Sequence, residues 1–141
     1  MTMHDRLATQ FGCELNEEGV MVCPAGAQRP KKVAVWGSAR TPEDSGLYNS
    51  IRRMGKELRQ EGWIIVTGGG PGSMEAANRG AMDACRDGEV CSLAEAIYLP
   101  FEEAVNEYVQ EYDKHQEFFS RLKTFSECDA FIITPGGIGT L

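Results

Sequence analysis

Short apolar runs alternate with helical patterns through most of the chain. The runs at 31–36, 63–67, 96–99 and 130–133 are largely apolar throughout, and residues 90–93 are a further candidate strand. Strands that are buried on both faces of a parallel sheet show this continuous apolar character. The pattern therefore predicts an α/β fold in which an open parallel sheet is covered by helices on both faces.

Three segments between these runs have the period of amphipathic helices. In the first, Pro42 and Asp44-Ser45 indicate a helix start, and the pattern stops near Gly62. Its apolar residues recur at helical spacing and are Leu47, Ile51, Met54 and Leu58. In the second, Ser73 is expected to cap a helix that carries apolar residues from Met74 to Cys85. A third helix is expected over residues 116–127.

The chain has 141 residues, which is enough for one core. Residues 1–30 show no clear period and contain several glycines and prolines, so we expect an N-terminal arm there, followed by one domain over residues 31–141. No apolar stretch is long enough to span a membrane, and the N-terminus has no signal-peptide pattern. We therefore expect no membrane contact and a cytoplasmic location.

Charge and cysteine content indicate which partners and which cysteine chemistry to expect. With 14 basic and 21 acidic residues the net charge is −7, which argues against nucleic acid as a partner. The five cysteines are an odd number and are widely spaced, so free thiols are expected. The alternative is that Cys13 and Cys23 form a disulfide or a metal pair; no metal site is otherwise expected.

Three predicted strands end in glycine-rich turns. The turns are Gly37-Ser38, residues 68–72 and residues 135–140. Glycine lets the backbone approach a ligand closely, and a helix N-terminus favours an anion, so a phosphate group is the expected ligand. Neither G-x-G-x-x-G nor G-x-x-x-x-G-K-[ST] is present, which argues against a standard dinucleotide fold and a P-loop ATPase.

The sequence GGGPGSMEAANRGA at 68–81, together with PGGIGT at 135–140, resembles the LONELY GUY (LOG) family of Rossmann-like nucleotide-binding proteins. Supporting matches are Gly37-Ser38-Ala39, the LPFE segment at 99–102 with Asn106 and Tyr108, and FFSR at 118–121. The resemblance implies a homodimer without cofactor that hydrolyses the N-glycosidic bond of a nucleoside 5′-monophosphate. The products would be a free base and ribose 5-phosphate, as in cytokinin activation or general nucleotide turnover.

The resemblance also implies a role for particular residues. Gly136, Gly137, Gly139 and Thr140 would hold the phosphate, while Gly37, Ser38, Gly69, Gly70 and Met74 would line the nucleotide cleft. Arg121 matches the family's catalytic arginine; the alternative is a solvated helix charge whose stem packs beside Phe118 and Phe125. Glu75 could approach the ribose or simply suit the helix dipole.

The sequence departs from the family pattern in two ways. The family motif PGGxGTxxE ends in the catalytic glutamate, which would fall two positions beyond Leu141, so we expect the C-terminal part of the domain to be missing and the chain itself to be inactive. Arg121 also lies one residue closer to Pro135 than in the family, so Lys123 could take part of its role. The alternative function is a carrier that binds a nucleotide or the molybdenum cofactor without cleaving it.

Two other mechanisms are disfavoured by the residues present. Many relatives are named lysine decarboxylases, but no Schiff-base lysine with a partner for a pyridoxal ring can be assigned here. The two histidines, His4 and His115, have no nucleophile beside them in the sequence, which argues against a Ser-His or Cys-His mechanism.

Overall fold

A computed structural model describes residues 3–25, 30–97 and 104–136 of the chain. In chain order the elements are α1 (Met3–Gln10), β1 (Glu14–Leu15), β2 (Met21–Val22), β3 (Lys31–Trp36), α2 (Gly46–Gln60), β4 (Trp63–Thr67), α3 (Ser73–Asp83), β5 (Ser92–Ile97), β6 (Glu111–His115), α4 (Phe118–Ser126) and β7 (Ala130–Ile133).

The main sheet has five strands in the order β6-β5-β4-β3-β7. Every pair in it is parallel, and β3 pairs with β4 on one side and with β7 on the other. Strands β4, β5 and β6 follow one another on one side of β3, and after α4 the chain returns to place β7 on the other side of β3. The strand order therefore reverses between β3 and β7, which is where open α/β sheets bind their ligands.

Two hydrophobic clusters, one on each face, hold helices to this sheet. Val33, Val35 and Ile65 pack with residues of α2 and α3, whereas Ala34, Ile64 and Val66 pack with Leu7 of α1 and Phe125 of α4. Successive strand residues point to opposite faces, so one apolar strand supplies both clusters. The predicted Rossmann-like sheet with helices on both faces is confirmed.

Helices α2 and α3 cross closely on the first face. A Cβ at Gly55 would lie 2.6 Å from the carbonyl oxygen of Ala77, and one at Gly80 would overlap the carbonyl of Arg52. The Arg52 guanidinium also pairs with Asp83, with an Nε to Oδ2 distance of 2.7 Å. Glycine at both crossing points lets the two helix backbones approach each other, because no side chain separates them.

The segment before residue 30 is attached to the second face. Leu7 is fully buried there, and Phe11 and Met21 pack against the same cluster. Strands β1 and β2 form a separate antiparallel hairpin. The division of the chain into an arm and a domain stays a prediction.

The prediction of free cysteines is wrong for four of the five. Cys13 is bonded to Cys23 across the hairpin, as the alternative interpretation had it, and Cys85 is bonded to Cys91 between α3 and β5. Only Cys128 is free. The second pair was missed because sequence spacing does not show that the chain turns back between α3 and β5.

The predicted elements agree with the structure where the apolar pattern was strong. Strands β3, β4 and β7 have the expected bounds, and Ser45 caps α2 by accepting a hydrogen bond from the Tyr48 amide. Strand β5 begins at Ser92 and joins the two candidate strands into one, whereas Tyr98 and Leu99 lie outside the described residues. Strand β6 was missed because its sequence, EYDKH, is polar.

Candidate functional site

The turns after β3 and β7 lie against each other at the point where the strand order reverses. The backbone amide and the hydroxyl of Thr134 both donate to the carbonyl of Trp36, at 2.8 and 3.0 Å. Gly136 has a φ of 84°, and a Cβ at this position would lie 3.1 Å from the Cβ of Ser38. Since a side chain at Gly136 would strain the backbone and crowd Ser38, glycine suits this turn.

The turn after β4 joins this crevice through α3. The Ser73 amide donates to the carbonyl of Ser38 at 2.9 Å, and Gly72, with a φ of 70°, is the N-cap of α3. The expectation that Ser73 caps α3 is wrong: it is the first helical residue, fully buried, and its hydroxyl lies 2.6 Å from that of Thr41. The turns after β3, β4 and β7 therefore lie together at the carboxyl edge of the sheet.

A buried polar network holds the turn at Gly69 and Gly70. Asn106 binds this turn through two hydrogen bonds, since its amide donates to the Gly69 carbonyl and its side chain to the Gly70 carbonyl, at 2.8 and 3.0 Å. Asn78 of α3 accepts hydrogen bonds from the Thr67 hydroxyl and from the Asn106 side chain, at 2.6 and 3.1 Å. The network fixes the turn backbone against both α3 and the segment before β6.

Met74 lies over the same turn. A Cβ at Gly70 would lie 2.6 Å from Met74 Cε, and one at Gly68 would lie 3.1 Å from Met74 Sδ. Together with Gly69 and Gly70, the Met74 thioether therefore forms one wall at the carboxyl end of β4, where the resemblance expects the nucleotide cleft.

Arg121 reaches this wall from α4. Its Nε donates to the carbonyl of Glu95 at 2.8 Å, and its guanidinium lies 5.6 Å from the ring centre of Phe125. A Cβ at Gly68 would overlap the guanidinium, which places the charge at the glycine turn. Burial lowers the pKa of Arg121. Lys123 is exposed on the same helix, so among the two candidates it is Arg121 that lies at the turn.

Glu75 is held by a neighbour inside the fold. The Tyr48 hydroxyl donates to its Oε2 at 2.6 Å, and burial together with this bond raises the pKa of Tyr48 to about 12. The carboxylate thus bridges α2 and α3. Gly137, Gly139 and Thr140 lie outside the described residues.

Sequence reasoning missed a buried polar chain beside Arg121. Glu95, in the middle of β5, is 2% exposed, and its Oε2 lies 2.6 Å from Nε2 of His115. The other ring nitrogen, Nδ1, lies 2.7 Å from the hydroxyl of Ser120. Burial raises the pKa of Glu95 to about 6. The available signal was a lone carboxylate within an otherwise apolar strand.

One group of potential metal ligands comes together within the described ranges. Cys85, Glu89 and Cys91 place their ligand atoms within 4.8 Å of one another, but the two sulfurs are bonded to each other. A disulfide sulfur is not the thiolate that metals bind, so this group is not a metal site in the oxidised chain. Burial also raises the pKa of Cys128 to about 11, which makes its thiol a poor nucleophile.

The reversed strand order with three turns at one crevice defines a doubly wound, Rossmann-like α/β domain. Two family models match the chain: "Possible lysine decarboxylase" over residues 74–141 and "SLOG cluster4 family" over residues 30–89. The chain belongs to the LOG family.

Curated relatives agree with this assignment. The chain is 32% identical over 123 residues to the pyrimidine/purine nucleotide 5′-monophosphate nucleosidase of Escherichia coli K12, and equally so to that of the O157:H7 strain. The match covers 80% of this chain and 26% of the enzyme, so the chain spans about a quarter of the length of these relatives.

Solved structures show the same fold. The protein TM1055 matches with a TM-score of 0.59 and 28% identity, over 78% of this chain and 64% of its own. The molybdenum cofactor carrier protein of Chlamydomonas reinhardtii matches with a TM-score of 0.58 and 23% identity, over 79% of this chain and 66% of its own. In the part of the chain that the structure describes, no helix is long and apolar enough to cross a membrane.

Proposed function

We propose that this chain forms the nucleotide-binding part of a hydrolase that cleaves nucleoside 5′-monophosphates into a free base and ribose 5-phosphate. The observation that supports it most is the position of Arg121, whose guanidinium lies at the Gly68 turn, at the carboxyl end of β4, while its Nε is held by the Glu95 carbonyl of β5. The name of the Escherichia coli relatives, a nucleotide 5′-monophosphate nucleosidase, supports the same reaction class.

The glycine turns suit the phosphate end of such a substrate. Ser38, Gly136 and the first turn of α3 lie together, and the proposal assigns the phosphate to this crevice with Gly137, Gly139 and Thr140 completing it. Binding energy from a phosphate that does not react can position the sugar for bond cleavage. Gly69, Gly70 and Met74 would then face the ribose and base.

Cleavage of an N-glycosidic bond builds positive charge on the sugar and requires a carboxylate that directs water. In the family motif this carboxylate is the glutamate that would follow Leu141 by two positions. Glu75 is engaged by Tyr48, so it is the weaker candidate. We therefore expect residues 1–141 to bind monophosphates, and we expect hydrolysis to require the glutamate of the family motif, which a chain extended past Leu141 would supply.

Arg121 is the residue to test first. Replacing it with alanine removes a charge that can pair with the substrate, so we expect monophosphate affinity to fall about tenfold. Lys123→Ala on the exposed side of the same helix is the matched control and should bind as the wild type does. Isothermal titration calorimetry of the wild type and both variants, with AMP and with adenosine, measures these affinities. Only AMP should bind the wild type tightly.

The outcome of base release separates the two function classes. Free base from AMP but not from adenosine, in the extended chain, supports the hydrolase. Tight AMP binding with no base released by either chain would instead favour a carrier. Equal affinity for AMP and adenosine would contradict a phosphate site in this crevice. Homodimer formation, which light scattering would measure, and a cytoplasmic location belong to the proposal as well.

A further inference from the structure

We propose that Ser120, His115 and Glu95 form a second catalytic site, a serine nucleophile that transfers acyl groups from small carboxylic esters. The three side chains form one hydrogen-bonded chain, with 2.7 Å from Ser120 Oγ to His115 Nδ1 and 2.6 Å from His115 Nε2 to Glu95 Oε2. They come from three elements, the N-terminal turn of α4 and the strands β6 and β5. This activity goes beyond nucleotide hydrolysis and does not depend on it.

The direction of each hydrogen bond follows from the chemistry of the groups. An ionised carboxylate can only accept, so Nε2 of His115 carries the proton and donates to Glu95. In a neutral imidazole the other nitrogen is then an acceptor, which leaves Nδ1 to accept from the Ser120 hydroxyl. The histidine is therefore held in the tautomer that can take a proton from serine.

The three side chains become more exposed from Glu95 through His115 to Ser120, so the carboxylate is buried and the nucleophile is accessible. The Glu95 side chain is 3% exposed and that of His115 is 11% exposed, whereas Ser120 lies at the surface. The carboxylate is kept from water, so its attraction for the imidazolium is strong, while the hydroxyl stays open to a substrate. Burial raises the pKa of Glu95 to about 6, so the carboxylate is ionised at a pH of about 8.

The position of Ser120 in α4 supplies a place for the developing oxyanion. Ser120 is the third residue of the helix, where backbone N–H groups have no partner within the helix, and the N-cap Glu117 makes no side-chain capping bond. The bond from Arg121 Nε to the Glu95 carbonyl ties this turn to β5, so the nucleophile and its base are held together.

The reaction is balanced with the ester and water alone. Ser120 Oγ forms a bond to the acyl carbon, its proton passes to His115 Nδ1, and the bond from the acyl carbon to the leaving alkoxide breaks. The imidazolium returns that proton to the alkoxide, which leaves as an alcohol. Water then attacks the acyl carbon and gives one proton to Nδ1, the bond from the acyl carbon to Ser120 Oγ breaks, and Nδ1 returns that proton to Oγ as the carboxylic acid leaves.

A fluorophosphonate probe tests the nucleophile directly in the 141-residue chain. At a pH of about 8 the Ser120 oxygen would displace fluoride from phosphorus, and we expect one adduct per chain, mapped to Ser120 by peptide mass spectrometry. Ser120→Ala should abolish it. Ser126→Ala, an exposed serine on the same helix that bonds the Lys123 carbonyl, is the matched control and should react as the wild type does.

The two supporting residues give a second readout. We expect His115→Gln and Glu95→Gln to slow labelling and p-nitrophenyl acetate hydrolysis by about 10²-fold or more, because each removes part of the proton transfer. Melting temperatures show which variants remain folded, and Glu95→Gln keeps the shape of the side chain. Absence of a Ser120 adduct, or labelling of Ser120 at the same rate in folded Glu95→Gln and His115→Gln chains, would overturn the proposal.

Discussion

At the scale of single residues, Asn78 shows how a polar side chain can be essential to a turn that it does not belong to. It is fully buried, and its side-chain nitrogen donates to the Ser92 hydroxyl at 2.8 Å and to the Leu93 carbonyl at 3.3 Å. Its oxygen accepts from Thr67, whose hydroxyl also accepts from the Gly69 amide at 2.9 Å. One side chain thus links α3, two strands and the glycine turn.

Replacing Asn78 with alanine should therefore be costly. The change leaves the partners of Asn78 buried without hydrogen bonds, so we expect the free energy of unfolding to fall by about 3 kcal/mol. Urea unfolding followed by circular dichroism measures it. Asn49→Ala, on the exposed face of α2, is the control and should change stability by less than about 0.5 kcal/mol. Equal effects of the two changes would contradict the network.

At the scale of elements, the crossing of α2 and α3 positions the first face of the sheet. These helices cover β3 and β4, and α3 begins at the crevice, so its placement decides where its first turn meets Ser38. The crossing depends on Gly55 and Gly80, which lie against backbone atoms of the facing helix. Small residues there let the helices pack at short distance, and the hydrophobic pattern of either helix alone does not show this.

Gly80→Ala tests the crossing. The added methyl group would overlap the Arg52 carbonyl, which is backbone and cannot move aside cheaply, so we expect a loss of about 2–3 kcal/mol although alanine favours helices. Gly46→Ala, where nothing lies within 4 Å of the new methyl, is the matched control and should be neutral or slightly stabilising. A Gly80→Ala chain as stable as the Gly46→Ala chain would contradict the close contact.

At the scale of the whole molecule, two disulfides add covalent links to parts of the chain outside the strand pairing of the main sheet. One closes the hairpin that follows α1, and the other closes the connection from α3 to β5. Disulfides persist in oxidising compartments and are rare in the reducing cytosol. The oxidation state of this chain therefore bears directly on its predicted cytoplasmic location.

Thiol titration of the purified chain decides the oxidation state. In denaturant without reductant we expect one reactive thiol, that of Cys128, and five after reduction. Reduction should also lower the melting temperature. Each bridge reduces the conformational entropy of the unfolded chain and so stabilises the fold by about 2–3 kcal/mol. Five thiols before reduction would contradict both bridges and restore the expectation of free cysteines.

The apolar runs by themselves determined the parallel sheet and its two covered faces. Strands β3, β4 and β7 and the start of α2 at Ser45 were predicted correctly, because burial on both faces demands continuous apolar sequence and the signals that start a helix are local. The motifs at 68–81 and 135–140 likewise identified the family. Both kinds of information are local in the chain, so they can be read without the fold.

Only the tertiary structure decided which distant residues meet. The polar strand β6, the bridge from Cys85 to Cys91, and the contacts joining Glu95, His115 and Ser120 depend on segments that are brought together by strand pairing. The position of Arg121 at the Gly68 turn depends in the same way on α4 packing against β5. The contacts of Glu95 with His115 and of Arg121 with the Gly68 turn join residues 20 or more positions apart. The bridge from Cys85 to Cys91 and the contact of His115 with Ser120 are closer in sequence, but they form only because the chain turns back there. No local hydrophobic pattern records either kind of contact.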